Sequence, residues 1–340
     1  VHKDSWGILK RIVALFRHTG CPIPSKPSIL YKISGSKTIT NPKGPFPDWE
    51  LEGLKEARGV ESAIESLVDK AKEGDSEALE ALVLSIQDRV YGLAIRMLSH
   101  PADAEDATQD ILMKVVTHLG TFRQESAFST WVYRIASNHL LTTRKRRAER
   151  LEITFDMCAR QVDDGLAAQE PHSVYDAEQS VVVEELMISC MQAMLLCLDR
   201  DLRIVFILGQ VFEVSGDQGA YILDITPTAY RKRLSRARKL IRDFMSAKCG
   251  LFDEDNPCRC SKQVGYAGDT RWINLNRLRF AEHPRRNYRV GVPVEELRRM
   301  DELERVEALF RSHPDYVAPP SFMENLKTLF SSVKRRMLDA

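Results

Sequence analysis

Four side chains within two turns of one basic stretch, Arg231, Lys232, Ser235 and Arg236, supply the donors that base edges and phosphate oxygens accept. They follow the turn Asp224-Ile225-Thr226, in which Thr226 suits a helix N-cap and Pro227 the first helical position. A short apolar stretch, Gln218 to Leu223, precedes that turn. Short helix, tight turn and basic helix form the helix-turn-helix pattern, whose second helix enters the major groove. A basic helix alone is more often a solvated face. The capped turn and the helix before it are what favour duplex DNA here.

A second constellation lies a hundred residues earlier. Phe122, Phe128, Trp131 and Tyr133 are interleaved with Arg123, Arg134 and Asn138, and the stretch runs on into Arg144-Lys145-Arg146-Arg147. Rings that stack on bases, beside cations that pair with phosphates, suit a single strand. Trp131 reads as a core residue because Val132 and Ile135 adjoin it. The Phe122–Ser129 loop reads as functional. Upstream, Asp106, Gln109 and Asp110 share the polar face of a helix, opposite Ile111, Leu112, Val115 and Val116, an arrangement usually found on a solvated surface. Near the C-terminal side, Cys249, Cys258 and Cys260 could hold zinc or copper through their thiolates, with Asn256-Pro257 turning the chain and His283 further on. The bland alternative is unliganded surface thiols, because no tight CxxC pair is present.

These stretches must be carried by helices. Apolar residues recur at helical spacing from Glu61 to Met97, again over Ile111 to Leu119, and again from Leu186 to Val211. The fold class expected is therefore all-α. It consists of a poorly ordered extension over 1–60, a helical module over 61–150, a polar linker over 151–183, a second module over 184–246 and a mostly helical extension over 247–340. Within the last, Val294 to Phe310 and Pro320 to Met337 are expected to be helical. The net charge of +1 across 340 residues hides strong segregation of charge. An apolar run long enough to span a bilayer is missing, which argues against a membrane role. Seven scattered cysteines point to a reducing compartment, hence the cytoplasm, rather than to a disulfide framework. Neither a nucleotide-cradling loop nor a convincing catalytic dyad stands out, so an enzyme is not expected.

The stretch Asp103-Ala104-Glu105-Asp106-Ala107-Thr108-Gln109-Asp110-Ile111-Leu112, followed by Phe122 to Ala136, resembles region 2 of bacterial sigma factors of the extracytoplasmic-function group. Ile225-Thr226-Pro227 through Arg238 is similar to their region 4, in the family's order and separated by a linker. The resemblance implies a sigma factor that binds core RNA polymerase and directs promoter recognition and opening. On that basis Asp106, Gln109 and Asp110 would dock on the polymerase clamp. Arg123, Phe128, Asn138 and Thr142 would engage the single-stranded minus-10 element. Arg231, Lys232, Ser235 and Arg236 would read the minus-35 duplex. An anti-sigma factor would be a further candidate partner. The chain departs from the family at Gln218-Gly219-Ala220, where an acidic residue, an apolar residue and alanine are usual, at Asp224, where a glycine is frequent, and at Tyr230, where a smaller aliphatic residue is usual, and these departures predict weak or unusual minus-35 recognition. Two rival readings are a helix-turn-helix regulator acting on duplex DNA without polymerase, and an enzyme with its site around Cys258 and His283.

Overall fold

Gly74 and Asp75 set the first helix boundary, and each does so for a local reason. Gly74 takes φ +93°, which a side chain resists. The Asp75 carboxylate then accepts from the backbone N–H groups of Glu77 (2.9 Å) and Ala78 (3.1 Å), donors that have no intrahelical partner. In the computed structural model, which describes residues 62–143, 148–168, 180–283, 296–297, 299–312 and 314–319, these two residues separate helix α1 (62–72) from α2 (Ser76–Leu98). The expected N-terminal extension, the Arg144–Arg147 cluster and the helix expected over Pro320 to Met337 lie outside the described residues.

The described residues divide into two compact units. The smaller holds α1, the start of α2 up to Ser85, and residues 119–128. Val68, Leu82, Val83, Phe122 and Phe128 are among its buried side chains. The larger holds the rest of α2, α3 (Pro101–His118) and the remainder of α4 (Phe128–Thr142). It continues through α5 (Phe155–Ala167), α6 (Ser180–Cys197), α7 (Arg200–Phe206), α8 (Gly216–Leu223), α9 (Pro227–Lys248), α10 (Cys260–Asp269) and α11 (Glu302–Arg311). Among the described residues there is no sheet; one isolated bridge joins Cys249 and Cys258. The all-α class is as expected.

Part of the expected polar linker is a helix. Thr154 caps α5, accepting from Met157 N–H at 3.3 Å. Phe155 packs on Phe244 of α9 with ring centroids 5.6 Å apart, and Lys248 of α9 donates to Asp163 at 2.6 Å. The Gln263 amide of α10 donates to the Val162 carbonyl at 3.1 Å. The stretch contains Gly165 and is rich in Asp and Gln, so its weak apolar periodicity concealed a helix that tertiary contacts sustain.

α7 gives way to a π-helical turn over Ile207–Val211 before Ser215 caps α8. Two arginines, Arg203 buried and Arg200 half-buried, anchor α7. Arg203 donates to the carbonyls of Leu195 (2.8 Å), Met97 (2.6 Å) and Leu198 (3.0 Å), and pairs with Glu149 at 3.0 Å. Arg200 grips the same carboxylate through two bonds of 2.8 and 2.6 Å. A fork-on-carboxylate geometry of this kind is strong and directional.

Candidate nucleic-acid interface

The helix-turn-helix is built as its sequence demands. Thr226 Oγ1 accepts from Ala229 N–H at 3.2 Å, and Pro227 opens α9. Tyr230, Ala237 and Ile241 are buried, and this fixes the helix's rotation. Arg231, Lys232, Ser235 and Arg236 consequently all face solvent. Lys232, Arg233 and Arg236 line an open groove with Asp199, Arg200, Asp201 and Leu202, and Arg233 pairs with Asp201 across it at 3.3 Å.

Two of the departures in this element explain one another, and the third closes α8. Asp224 occupies the left-handed region (φ 55°, ψ 44°) and closes α8, donating its N–H towards the carbonyls of Ala220 and Tyr221. Aspartate visits this conformation more readily than most residues, although less so than glycine. Gly219 is required because a methyl group there would collide with the ring of Tyr230. That ring is wholly buried, and its hydroxyl points to the Val205 carbonyl at 3.5 Å. Burial raises the Tyr230 phenol to about 12. One large and one absent side chain thus fill the space that two middling ones would fill, and the readers on the outer face are undisturbed.

The aromatic loop is held differently from the way its composition suggested. Phe128 is only 4% exposed and meets Phe122 edge-on at 5.5 Å. This corrects the expectation that Phe128 contacts DNA: its ring is core, and its role is to support the loop. Lys72 of α1 donates to the Phe122 carbonyl at 2.6 Å and lies over the Phe122 ring. Gln124 takes a left-handed φ of 57° while its amide donates to Asp69 at 2.9 Å. Arg123 is exposed. Lys72 and Asp69 were not legible as supports, because they lie about fifty residues away in sequence. Asn138 and Thr142, in the larger unit, are exposed one turn apart on α4, with Thr142 Oγ1 donating to the Asn138 carbonyl at 2.7 Å. Trp131 is half-buried and Tyr133 buried.

On α3, Ala104, Ala107, Thr108, Ile111, Leu112 and Val115 are buried while Asp106 and Asp110 are exposed and Gln109 is half-buried. The acidic face is therefore presented as expected. The Asp110 carboxylate lies 3.8 Å from His139 Nε2 of α4, and Lys114 bonds the other nitrogen of that ring at 2.9 Å.

Cys249 and Cys258 are bridged through their backbones, and Cys260 opens α10. Among the described residues no group of three or more His, Cys, Asp or Glu side chains is arranged to hold a metal ion. Cys258 and Cys260 turn instead, with Cys158 and Cys190, towards a small apolar cavity also lined by Met194, Phe244 and Trp272. Burial raises Cys258 to about 11 and Cys260 to about 12. His283 is elsewhere, stacked on Tyr91 at 5.2 Å and set against Tyr316 at 5.6 Å. The enzyme reading thus loses its proposed partnership of Cys258 with His283.

Comparison with known proteins meets this geometry. Residues 82–150 match the family Sigma-70 region 2, and residues 188–241 match Sigma-70, region 4. The ECF RNA polymerase sigma-E factor of Haemophilus influenzae is 30% identical over 182 residues, which are 53% of this chain and 93% of that one. The RNA polymerase sigma-H factor of Pseudomonas aeruginosa is 29% identical over 183 residues, covering 52% of this chain and 91% of its own. The sigma factor SigW of Bacillus subtilis is 28% identical over 193 residues, or 54% and 97%. A solved sigma factor RpoE, from its complex with the anti-sigma factor NepR of Bartonella quintana, is similar to 48% of this chain at 21% identity and a TM-score of 0.32. A helix-turn-helix with an outward basic face, preceded by an all-helical module with an acidic helix and an Arg-bearing aromatic loop, is the equipment of a transcription initiation factor. The chain belongs to the extracytoplasmic-function sigma factors, which bind core RNA polymerase and direct promoter recognition.

No helix among the described residues is long and apolar enough to cross a membrane.

Proposed function

We propose that residues 61–150 serve as the polymerase-binding and minus-10 module and residues 184–246 as the minus-35 module, acting in the cytoplasm without covalent chemistry. Asp106, Gln109 and Asp110 present the acidic face to the polymerase clamp. Arg123, exposed on a loop braced by Lys72 and Gln124, captures an extruded base with the phosphates beside it. Asn138 and Thr142 line the strand-separating surface. Arg231, Lys232, Ser235 and Arg236 read the minus-35 duplex from the major groove. An anti-sigma factor is a further partner consistent with the family.

The observation that carries this reading is the joint exposure of all four α9 readers on a helix whose rotation is fixed by Tyr230, Ala237 and Ile241. The decisive experiment is run-off transcription with core polymerase on genomic fragments, followed by mapping of start sites. Defined starts that depend on the chain are expected. A chain that neither co-elutes with core polymerase nor yields such starts overturns the reading. In the same assay Asn138→Ala should reduce permanganate reactivity at the minus-10 element while leaving minus-35 duplex affinity unchanged. An unaltered footprint would remove Asn138 from the melting surface.

A further inference from the structure

The six cysteines among the described residues are all free thiols, and they gather from distant parts of the chain into one place. Cys158 of α5, Cys190 of α6, Cys258 and Cys260 line the same apolar cavity. Cys249, at the end of α9, is bridged through its backbone to Cys258. Cys197, the last residue of α6, meets Cys158 with the two sulfurs 3.6 Å apart. Thiols this numerous and this close carry a chemistry that promoter recognition does not use.

The six are not equivalent. Burial raises Cys249, Cys258 and Cys260 above the ordinary thiol, so little thiolate is present there to meet an oxidant. The Cys158–Cys197 pair stands apart because its sulfurs are already in contact, either thiol being able to donate to the other. Cys197 is half-buried, whereas Cys158 is only 4% exposed. One thiol of the pair is thus within reach of a small reagent from solvent, and the other lies behind it.

The pair also joins two elements whose polar contacts are light. α5 is fastened to α9 by the Lys248–Asp163 ion pair, to α10 by the Gln263 bond to the Val162 carbonyl, and to Thr270 by the Gln161 amide at 3.0 Å. Exposed contacts of this kind are each worth little and exchange with water. A bond between Cys158 and Cys197 would cross-link positions 39 apart in sequence and fix α5 to α6 covalently. Disulfide sulfurs lie about 2.05 Å apart, so these two must close by about 1.5 Å.

We propose that Cys158 and Cys197 are an oxidation site, at which a hydroperoxide converts the pair to a disulfide that fixes the linker helix α5 to region 4. The Cys197 sulfur, as thiolate, attacks the outer oxygen of the hydroperoxide. An S–O bond forms and the O–O bond breaks. The departing oxygen takes up a proton and leaves as an alcohol, or as water when the oxidant is hydrogen peroxide. Cys197 is then a sulfenic acid. The Cys158 sulfur attacks it, the S–S bond forms, the S–O bond breaks, and the Cys158 proton leaves with the hydroxyl as water. The two thiols give up two electrons and one peroxide accepts them. A dithiol reverses the change by exchange. The site needs none of the promoter contacts assigned to α9.

The test treats the full chain, reduced and freed of reductant, with hydrogen peroxide. The reaction is quenched with iodoacetamide in denaturant, and the digest is read by peptide mass spectrometry without reductant. Peptides joined through Cys158 and Cys197 are expected, forming at least roughly tenfold faster than any oxidation of Cys258 or Cys260. Dithiothreitol should separate them. The oxidised chain should unfold roughly 5 °C or more above the reduced one. Amide exchange across Phe155–Ala167 should slow on the order of tenfold. In Cys158→Ser the cross-link should vanish and dimedone should trap a sulfenic acid on Cys197, while Cys190→Ser should cross-link as the wild type does. Cys158 and Cys197 left free by peroxide in the wild type, or Cys158 joined to a different cysteine, overturns the site. A cross-link that changes neither the unfolding temperature nor exchange in α5 overturns the fastening of that helix. The wild-type measurements decide both points even where a variant fails to fold.

Discussion

At the scale of single residues, the pairing of Gly219 with Tyr230 is the least conventional feature of the DNA-binding element and the most testable. Gly219→Ala places a methyl group against the Tyr230 ring and should cost about 1–3 kcal/mol through overpacking. The same substitution combined with Tyr230→Leu should cost less than the sum of the two singles, because the pair shares one space. Chemical denaturation of the four proteins checks this; strict additivity would mean that the two side chains do not compete. The readers follow different arithmetic. Arg231→Ala and Arg236→Ala should each weaken minus-35 binding by about 1–3 kcal/mol if they contact bases, whereas a side chain touching only phosphate should reduce the salt slope by about one. Fluorescence anisotropy across a salt series separates these outcomes.

At the scale of elements, burial decides which thiols react. With Cys258 near 11 and Cys260 near 12, the thiolate fraction near neutrality is on the order of one in ten thousand or less. Cys158 is raised first by its contact with Cys197, whose sulfur lies 3.6 Å away, and then by burial. Native protein should therefore alkylate slowly at these positions with iodoacetamide and rapidly once denatured, as peptide mass spectrometry would show. Fast native modification of Cys258 or Cys260 would place them outside the α5–α9–α10 contact. The buried joint between residues 148–151 and α7 is equally specific. Glu149→Gln leaves Arg203 buried without its carboxylate and should destabilise by about 3–5 kcal/mol.

At the scale of the whole molecule, His283 links α2 to the C-terminal segment by stacking on Tyr91 and meeting Tyr316 edge-on. Burial lowers its ring below the ordinary value of 6.5. The folded chain therefore binds fewer protons there than the unfolded chain does. Its contribution to stability is complete above 6.5 and is lost as pH falls from there through the folded value. Acidification towards about pH 5.5 should weaken the C-terminal segment's hold, and His283→Phe should flatten that part of the pH dependence. Denaturation midpoints measured on both sides of neutrality would show it; parallel curves for wild type and variant would exclude His283 as the source.

Helix order, the capped turn at Thr226 and Pro227, the outward face of α9 and the acidic face of α3 were all legible in the chain. Periodicity and capping depend on residues within a few positions of one another, so neighbouring sequence is enough to specify them. The helix at Phe155–Ala167 was not legible, since its partners Phe244, Lys248 and Gln263 lie about ninety to a hundred residues on. Phe128 was misjudged because an aromatic ring in an Arg-bearing loop looks the same in sequence whether it faces a base or the core. Only the packed structure decided that Phe128 turns inward. It likewise decided that Tyr230 compensates Gly219, that the cysteines surround an apolar cavity, and that residues near 314 return to residues near 96. Each of these depends on side chains brought together from distant parts of the chain, where burial and not local pattern sets what a residue can do.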